Sequence, residues 1–231
     1  MIALVLLPGM DGTGELFAEF VRALKNEVTS IIIRYPENQA MGYEELEGYV
    51  RDRLPVGQPF VLLGESFSGP IAISIASSQP AGLIGLILCC TFASNPLPML
   101  RPLRSLISVL PISSKLTMFI APFLLGNFSS SALRQSLQRA LSKVPASTFR
   151  RRIRAVFDID VSDQLKKIRA PILYLQAADD RIVPVLALKK IRECAMNLKV
   201  VTLRAPHLLL QAVPVEAATI VKKFIDEASQ R

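Results

Sequence analysis

The chain of 231 residues is 51% hydrophobic, enough for a substantial core, and its 27 Lys and Arg against 19 Asp and Glu leave a net charge of +8. Such a composition predicts a globular chain and not a disordered one, and no apolar run approaches the roughly 18 to 20 residues that a membrane-spanning helix needs. A single histidine excludes a His-rich metal centre, and cysteines at 89, 90 and 194 fit neither a disulfide framework nor a zinc site.

Taken in chain order, the apolar run Ile2 to Leu7 reads as a buried strand. It has no basic n-region and no small-residue cleavage site, so a secretory signal is not expected; with the unpaired cysteines this predicts a soluble cytoplasmic protein. "LLPGMDGTGE" follows, a loop in which Gly9, Gly12 and Gly14 permit tight turns and close backbone approach. Phe17, Phe20, Val21 and Leu24 then repeat at helical spacing. Ser30 to Tyr35 is the next strand, Leu46, Tyr49, Val50 and Leu54 mark a helix, and Phe60 to Leu63 is a third strand. "GESFSGP" leads from it into the apolar "IAISIAS", and Ile84 to Cys90 is a fourth strand. Ile172 to Gln176, a helix containing Ile191, and Val200 to Leu203 complete the pattern. The strands are continuous rather than alternating in hydrophobicity, as in parallel sheets covered on both faces, so the expected fold is a doubly wound, mostly parallel α/β sheet.

The alternation lapses from about Thr91 to Ile168. Prolines crowd its first part at 96, 98, 102, 111 and 122, and "SSSALRQSLQRALSKV" supplies serine N-caps ahead of Leu133, Leu137, Leu141 and Val144 at helical spacing. This predicts a helical cap over 91–168 inserted into a core formed by 1–90 and 169–231. Between Phe92 and Asp160 lie ten basic residues and two acids, while the remainder balances at 17 against 17. The run "FRRRIR" is expected on an outward face, either as a solvated helix surface or as a docking site for an acidic partner such as an acyl carrier protein or an anionic lipid surface. No nucleic-acid-binding motif accompanies the charge.

Chemistry is expected at Ser66. A sharp strand-to-helix turn projects a side chain out of the sheet and aims the following N–H at the reacting centre, provided its neighbours are small. Gly64, Ser68 and Gly69 meet that need, although the pattern is G-x-S-x-S-G instead of G-x-S-x-G. A serine that merely caps a helix is the plain alternative. "YLQAADDRIVP" places Asp179 and Asp180 in the loop after the fifth strand, and "LRAPHLLL" places His207 after the last, which is where sites of open α/β sheets gather. The order Ser, Asp, His suits an acid that orients an imidazole to accept the serine proton. For the glycine loop, phosphate binding is the weaker reading, since it matches neither G-x-G-x-x-G nor the Walker pattern and Asp11 would repel an anion. An oxyanion hole from the N–H groups of Met10 and Phe67 fits better.

With these pieces in order the sequence resembles the α/β-hydrolase fold proteins of carboxylesterase and lipase type, over nearly the whole chain. The resemblance implies Ser66 as nucleophile, His207 as base and Asp180 as acid, the last because "AADDRIVP" aligns with the family's G-x-x-D-x-x-V-P; Asp179 is the other candidate. Pro8, Ala177 and Ser68 depart from common family residues without removing a reacting group. "LPGMDGTG" with "GESFSG" also resembles hydrolase-fold acyltransferases that make phytyl esters and related lipids. The implied activity is hydrolysis of carboxylic esters of small or medium acyl chain, with no metal or organic cofactor. Acyl transfer or thioester hydrolysis on lipid or carrier-bound acyl groups is the alternative, and a non-catalytic binding module on the same fold a third. Relatives that use an aspartate nucleophile for dehalogenation are set aside by Ser66. Leu103, Leu106, Met118, Phe119 and Phe123 of the cap are expected to line the substrate pocket.

Overall fold

The computed structural model describes residues 2–109 and 114–230, without the side chains of 103, 106, 108, 109 and 114–119. Six strands form one sheet: β1 (Ala3–Leu7), β2 (Thr29–Ile32), β3 (Phe60–Glu65), β4 (Leu83–Cys89), β5 (Ile172–Ala177) and β6 (Leu198–Leu203). Their order is β2-β1-β3-β4-β5-β6 and every neighbouring pair is parallel. The helices are α1 (Ala18–Ala23), α2 (Tyr43–Arg51), α3 (Gly69–Ser77), α4 (Ser114–Leu125), α5 (Ser131–Ser142), α6 (Ala146–Asp158), α7 (Ser162–Leu165), α8 (Val185–Cys194), α9 (Leu209–Ala212) and α10 (Pro214–Ser229), with a 3₁₀ stretch at Pro98–Val109.

Because successive side chains of a strand point to opposite faces, the unbroken apolar runs feed two cores at once. Val5, Leu7, Leu62, Leu86 and Tyr174 pack against α2, α3, α7 and α8 on one face. Leu4, Leu6, Leu63, Ile87 and Leu175 pack against α1 and α10 on the other. The central strands β1 and β3 are fully buried, whereas β2 and β6 at the edges are only partly covered. The β2 ladder ends three residues before the expected Tyr35. From there the chain bends toward the loop after β1, and the Tyr35 N–H donates to the Gly12 carbonyl at 2.8 Å.

The chain winds one way from β1 to β2 and the other way from β3 onward. The carboxyl ends of β1 and β3 therefore flank the crevice where their outgoing loops part, the place at which ligands bind in open α/β sheets. The loop with Gly9 leaves β1 there, and Ser66 leaves β3.

Residues 91–168 hold no named strand among the described residues, only an isolated bridge between Ser94 and Asp160. Ser130 caps α5 as expected, its side chain accepting from the Leu133 N–H at 3.1 Å, and Leu137 and Val144 turn inward. Leu125, Leu137 and Ala140 form a small core with Leu16 and Leu208, so the segment rests on the loops after β1 and β6. Among the described residues no helix is long and apolar enough to cross a membrane.

Candidate active site

Ser66 adopts φ 50°, a left-handed conformation that is costly for a residue with a Cβ, and it persists because its surroundings determine it from several sides. The Thr91 hydroxyl donates to the Ser66 carbonyl. A Cβ at Gly64 would lie 2.7 Å from the Ser68 carbonyl oxygen and 2.8 Å from the Ala72 Cβ, and one at Gly69 would overlap the Thr91 side chain. Gly69 thus serves the close approach that the second glycine of the commoner pattern would serve. That frees position 68 for a serine, and Ser68 is fully buried. Its hydroxyl donates to the Pro8 carbonyl and accepts from the Tyr35 hydroxyl at 2.5 Å, so the departure from the usual pattern builds a hydrogen-bonded tie between the turn and the loop after β1. Burial pushes the Tyr35 phenol well above its ordinary value, which keeps it a donor.

The Ser66 Oγ lies 2.8 Å from the His207 Nε2. His207 is 3% exposed, and its Nδ1 lies 2.9 and 3.0 Å from the two carboxylate oxygens of Asp180. Asp180 Oδ1 also accepts the N–H groups of Ile182 and Val183, at 2.8 and 2.9 Å, which pins the carboxylate. An acceptor-only carboxylate on Nδ1 requires the proton there and leaves Nε2 free to accept from serine. Asp179 is exposed, and of the two aspartates Asp180 meets the imidazole.

The glycine loop passes over this pair: a Cβ at Gly9 would sit 3.9 Å from the Ser66 Cβ. The turn is closed by the Gly12 N–H on the Gly9 carbonyl at 3.0 Å, and Asp11 accepts the Thr13 N–H and hydroxyl at 2.9 and 2.6 Å. Phe67, the second expected amide donor, is 1% exposed and stacks on Tyr43 with ring centroids 4.7 Å apart. Its amide lies at the start of a helical segment, where N–H groups lack intrahelical acceptors and the dipole favours negative charge.

The run "FRRRIR" is only in part the expected outward face: Arg151 and Arg154 are exposed, but one arginine turns inward. Arg152 is fully buried and donates through Nη1 to the carbonyls of Met10 and Asp11, at 2.8 and 2.9 Å. Burial lowers its proton affinity, while the nearby Tyr35 and Asp11 raise it. A Cβ at Gly12 would meet its Nη1 at 2.6 Å, so glycine there makes room for the guanidinium. The clue lay in helical spacing: Arg152 follows the buried Thr148 by four residues and precedes the core-facing Val156 by four. Of the other basic residues in the segment, Arg104, Lys143 and Arg151 pair with Asp158, Glu15 and Glu45. A second tie joins the 91–168 segment to the candidate site where the Leu208 N–H donates to the Leu124 carbonyl at 3.2 Å, one residue beyond His207.

Phe123 is 53% exposed, and the side chains of Leu103, Leu106, Met118 and Phe119 lie outside the described residues. A groove of about 420 Å³ between α6 and α8, lined by Asn95, Arg101, Phe157 and Lys190, includes none of Ser66, Asp180 and His207.

In fold the chain is similar to an esterase from Exiguobacterium antarcticum, with TM-score 0.82, 15% identity and coverage of 98% of this chain and 92% of that one. It is also similar to a lipase-esterase related protein from Clostridium acetobutylicum (TM-score 0.80, 15% identity, 96% and 94% covered). A bromoperoxidase from Bacillus anthracis shares the fold as well (TM-score 0.83, 17% identity, 97% and 91% covered). No curated protein matches in sequence. The family described as "Alpha/beta hydrolase family" matches residues 4–219, nearly the full length of this sheet and its loops, and the chain belongs to that family.

Proposed function

We propose that this hydrolase cleaves carboxylic esters through a Ser66 acyl-enzyme. The observation that carries the reading is the 2.8 Å approach of the Ser66 Oγ to the His207 Nε2, with Asp180 on the opposite ring nitrogen. In the reaction His207 takes the Ser66 proton as Oγ bonds to the ester carbonyl carbon, and the N–H groups of Met10 and Phe67 receive the oxyanion. Collapse of the tetrahedral species breaks the bond to the alkoxy oxygen, which leaves as the alcohol with the proton from His207. Water then gives a proton to the same imidazole, attacks the acyl carbon, and releases the acid and Ser66. Small or medium acyl chains are the proposed substrates. Acyl transfer would use the same groups with an alcohol in place of water.

The test is turnover of p-nitrophenyl esters of graded acyl length by wild type and Ser66→Ala, with and without an alcohol acceptor, and intact mass after a fluorophosphonate. Turnover lost in the variant together with one adduct on Ser66 is expected. A folded wild-type protein with neither turnover nor adduct would refute the reading.

A further inference from the structure

Glu65 immediately precedes Ser66, yet the proposed reaction gives it no task. Its side chain is 2% exposed and accepts the Gln211 Nε2–H at 3.0 Å. Gln211 is itself 7% exposed and follows His207 by four residues in α9. On its other side the carboxyl approaches the loop after β1, with a Cβ at Gly9 falling 3.9 Å from the Glu65 Oε2. Two features of this cluster are anomalous. The titratable groups that face Glu65 are Asp11 from the loop after β1 and Cys89 from β4, neither of them a cation. The imidazole on the segment that supplies Gln211 is already taken up by Ser66 and Asp180. And the Gln211 Oε1 is buried with no donor among the described residues.

We propose that Glu65 is a positioning residue held as a neutral carboxylic acid, which donates its O–H to the Gln211 Oε1 while accepting the Gln211 N–H, and so locks the Ser66 turn to the His207 segment beneath the oxyanion loop. One proton resolves both anomalies. The orphaned acceptor gains a donor, and no uncompensated charge is left in an apolar site. In agreement, burial pushes the Glu65 carboxyl up to about 8, with Asp11 adding to the rise and the Gln211 and Gly9 donors opposing it. Loss of that proton would break the acid-to-amide bond. It would also place a negative charge beside Ser66, on whose substrate adduct the oxyanion must form, so the rate should fall as pH rises through about 8.

The role in catalysis rests on the Ser66 reading, so the test has a readout that does not. The carbonyl stretch of a protonated buried carboxyl is followed by infrared difference spectroscopy between pH 6.5 and 9.5, in wild type and Glu65→Gln. A band present at the lower pH, lost at the higher and absent from the variant is expected; no such band would overturn the proposal even if no substrate is ever found. Thermal unfolding against pH is the second readout. The folded state binds the extra proton between the ordinary carboxylate value near 4.5 and about 8, so wild-type stability should fall with rising pH across that window and Glu65→Gln should not share the fall. On a turned-over ester, wild-type kcat should drop about tenfold per pH unit above the transition, and in Glu65→Gln, whose amide keeps a donor toward Gln211, the drop should vanish. An alkaline fall that survives in the variant would overturn the role in catalysis, whereas absence of turnover at every pH would count against the esterase reading alone.

Discussion

Replacement of Arg152 by Met tests whether the 91–168 segment takes part in the proposed catalysis. The guanidinium holds two successive carbonyls, Met10 at 2.8 Å and Asp11 at 2.9 Å, in the loop whose Met10 N–H is the proposed oxyanion donor. Hydrogen bonds from a charged donor contribute about 1.5 to 3 kcal/mol each, so their loss costs roughly 3 to 6 kcal/mol. Part is returned because a buried cation no longer has to be desolvated, and that cation has an Nε without a partner. Against a typical stability of about 5 to 15 kcal/mol the variant should stay folded with a lower melting temperature. The rate should suffer more: one misplaced oxyanion donor costs about 10² to 10³ in kcat. KM should change little, because the loss falls on the transition state. The assay is kcat and KM on a p-nitrophenyl ester, with circular dichroism to establish the fold and Arg152→Lys as the conservative partner. Lysine keeps the charge with fewer fixed donors and should recover part of the rate. A folded Arg152→Met with kcat within about threefold of wild type would refute the idea that this contact holds the loop.

Two further substitutions test the turn itself. Ser68→Gly would restore the commoner elbow pattern, yet it leaves the Pro8 carbonyl and the Tyr35 hydroxyl without their partner; urea unfolding should show a loss of about 2 to 4 kcal/mol, and an equal or more stable variant would contradict the tie. Gly69→Ala drives a Cβ into the Thr91 side chain that holds the Ser66 carbonyl. It should yield little soluble protein, with Thr91→Ala in the same chain recovering part of the yield. A well-folded, active Gly69→Ala would show that the backbone at this turn is not as close as described.

Much of the architecture was legible because parallel strands buried on both faces leave a strong signal. Ile84 to Cys90 is offset by one residue from β4, and Ile172 to Gln176 stops one residue short of β5. Ser66 and His207 could be singled out because each follows a strand in a loop that opens on one end of the sheet. Position alone does not separate Asp179 from Asp180, since both occupy the same loop, and the preference for Asp180 comes from the motif resemblance; in the structure Asp180 meets the Nδ1 of His207 and Asp179 is exposed. The groups that were missed share one property. Arg152, Ser68, Glu65 and Gln211 meet partners 33 to 146 residues away, and local pattern does not name such partners, even where helical spacing turns Arg152 inward.

Local pattern, then, determined which segments are strands and helices, where the chain turns sharply, and which side chains are candidates for chemistry, because hydrophobic period and turn residues act over a few neighbours. The tertiary structure decided what those side chains meet. An arginine in a basic run became a buried clamp, a serine in place of glycine became a tie, and a glutamate beside Ser66 found an amide and no cation. Each outcome depends on what lies across a packed interface, where a polar group must find a partner or change its charge.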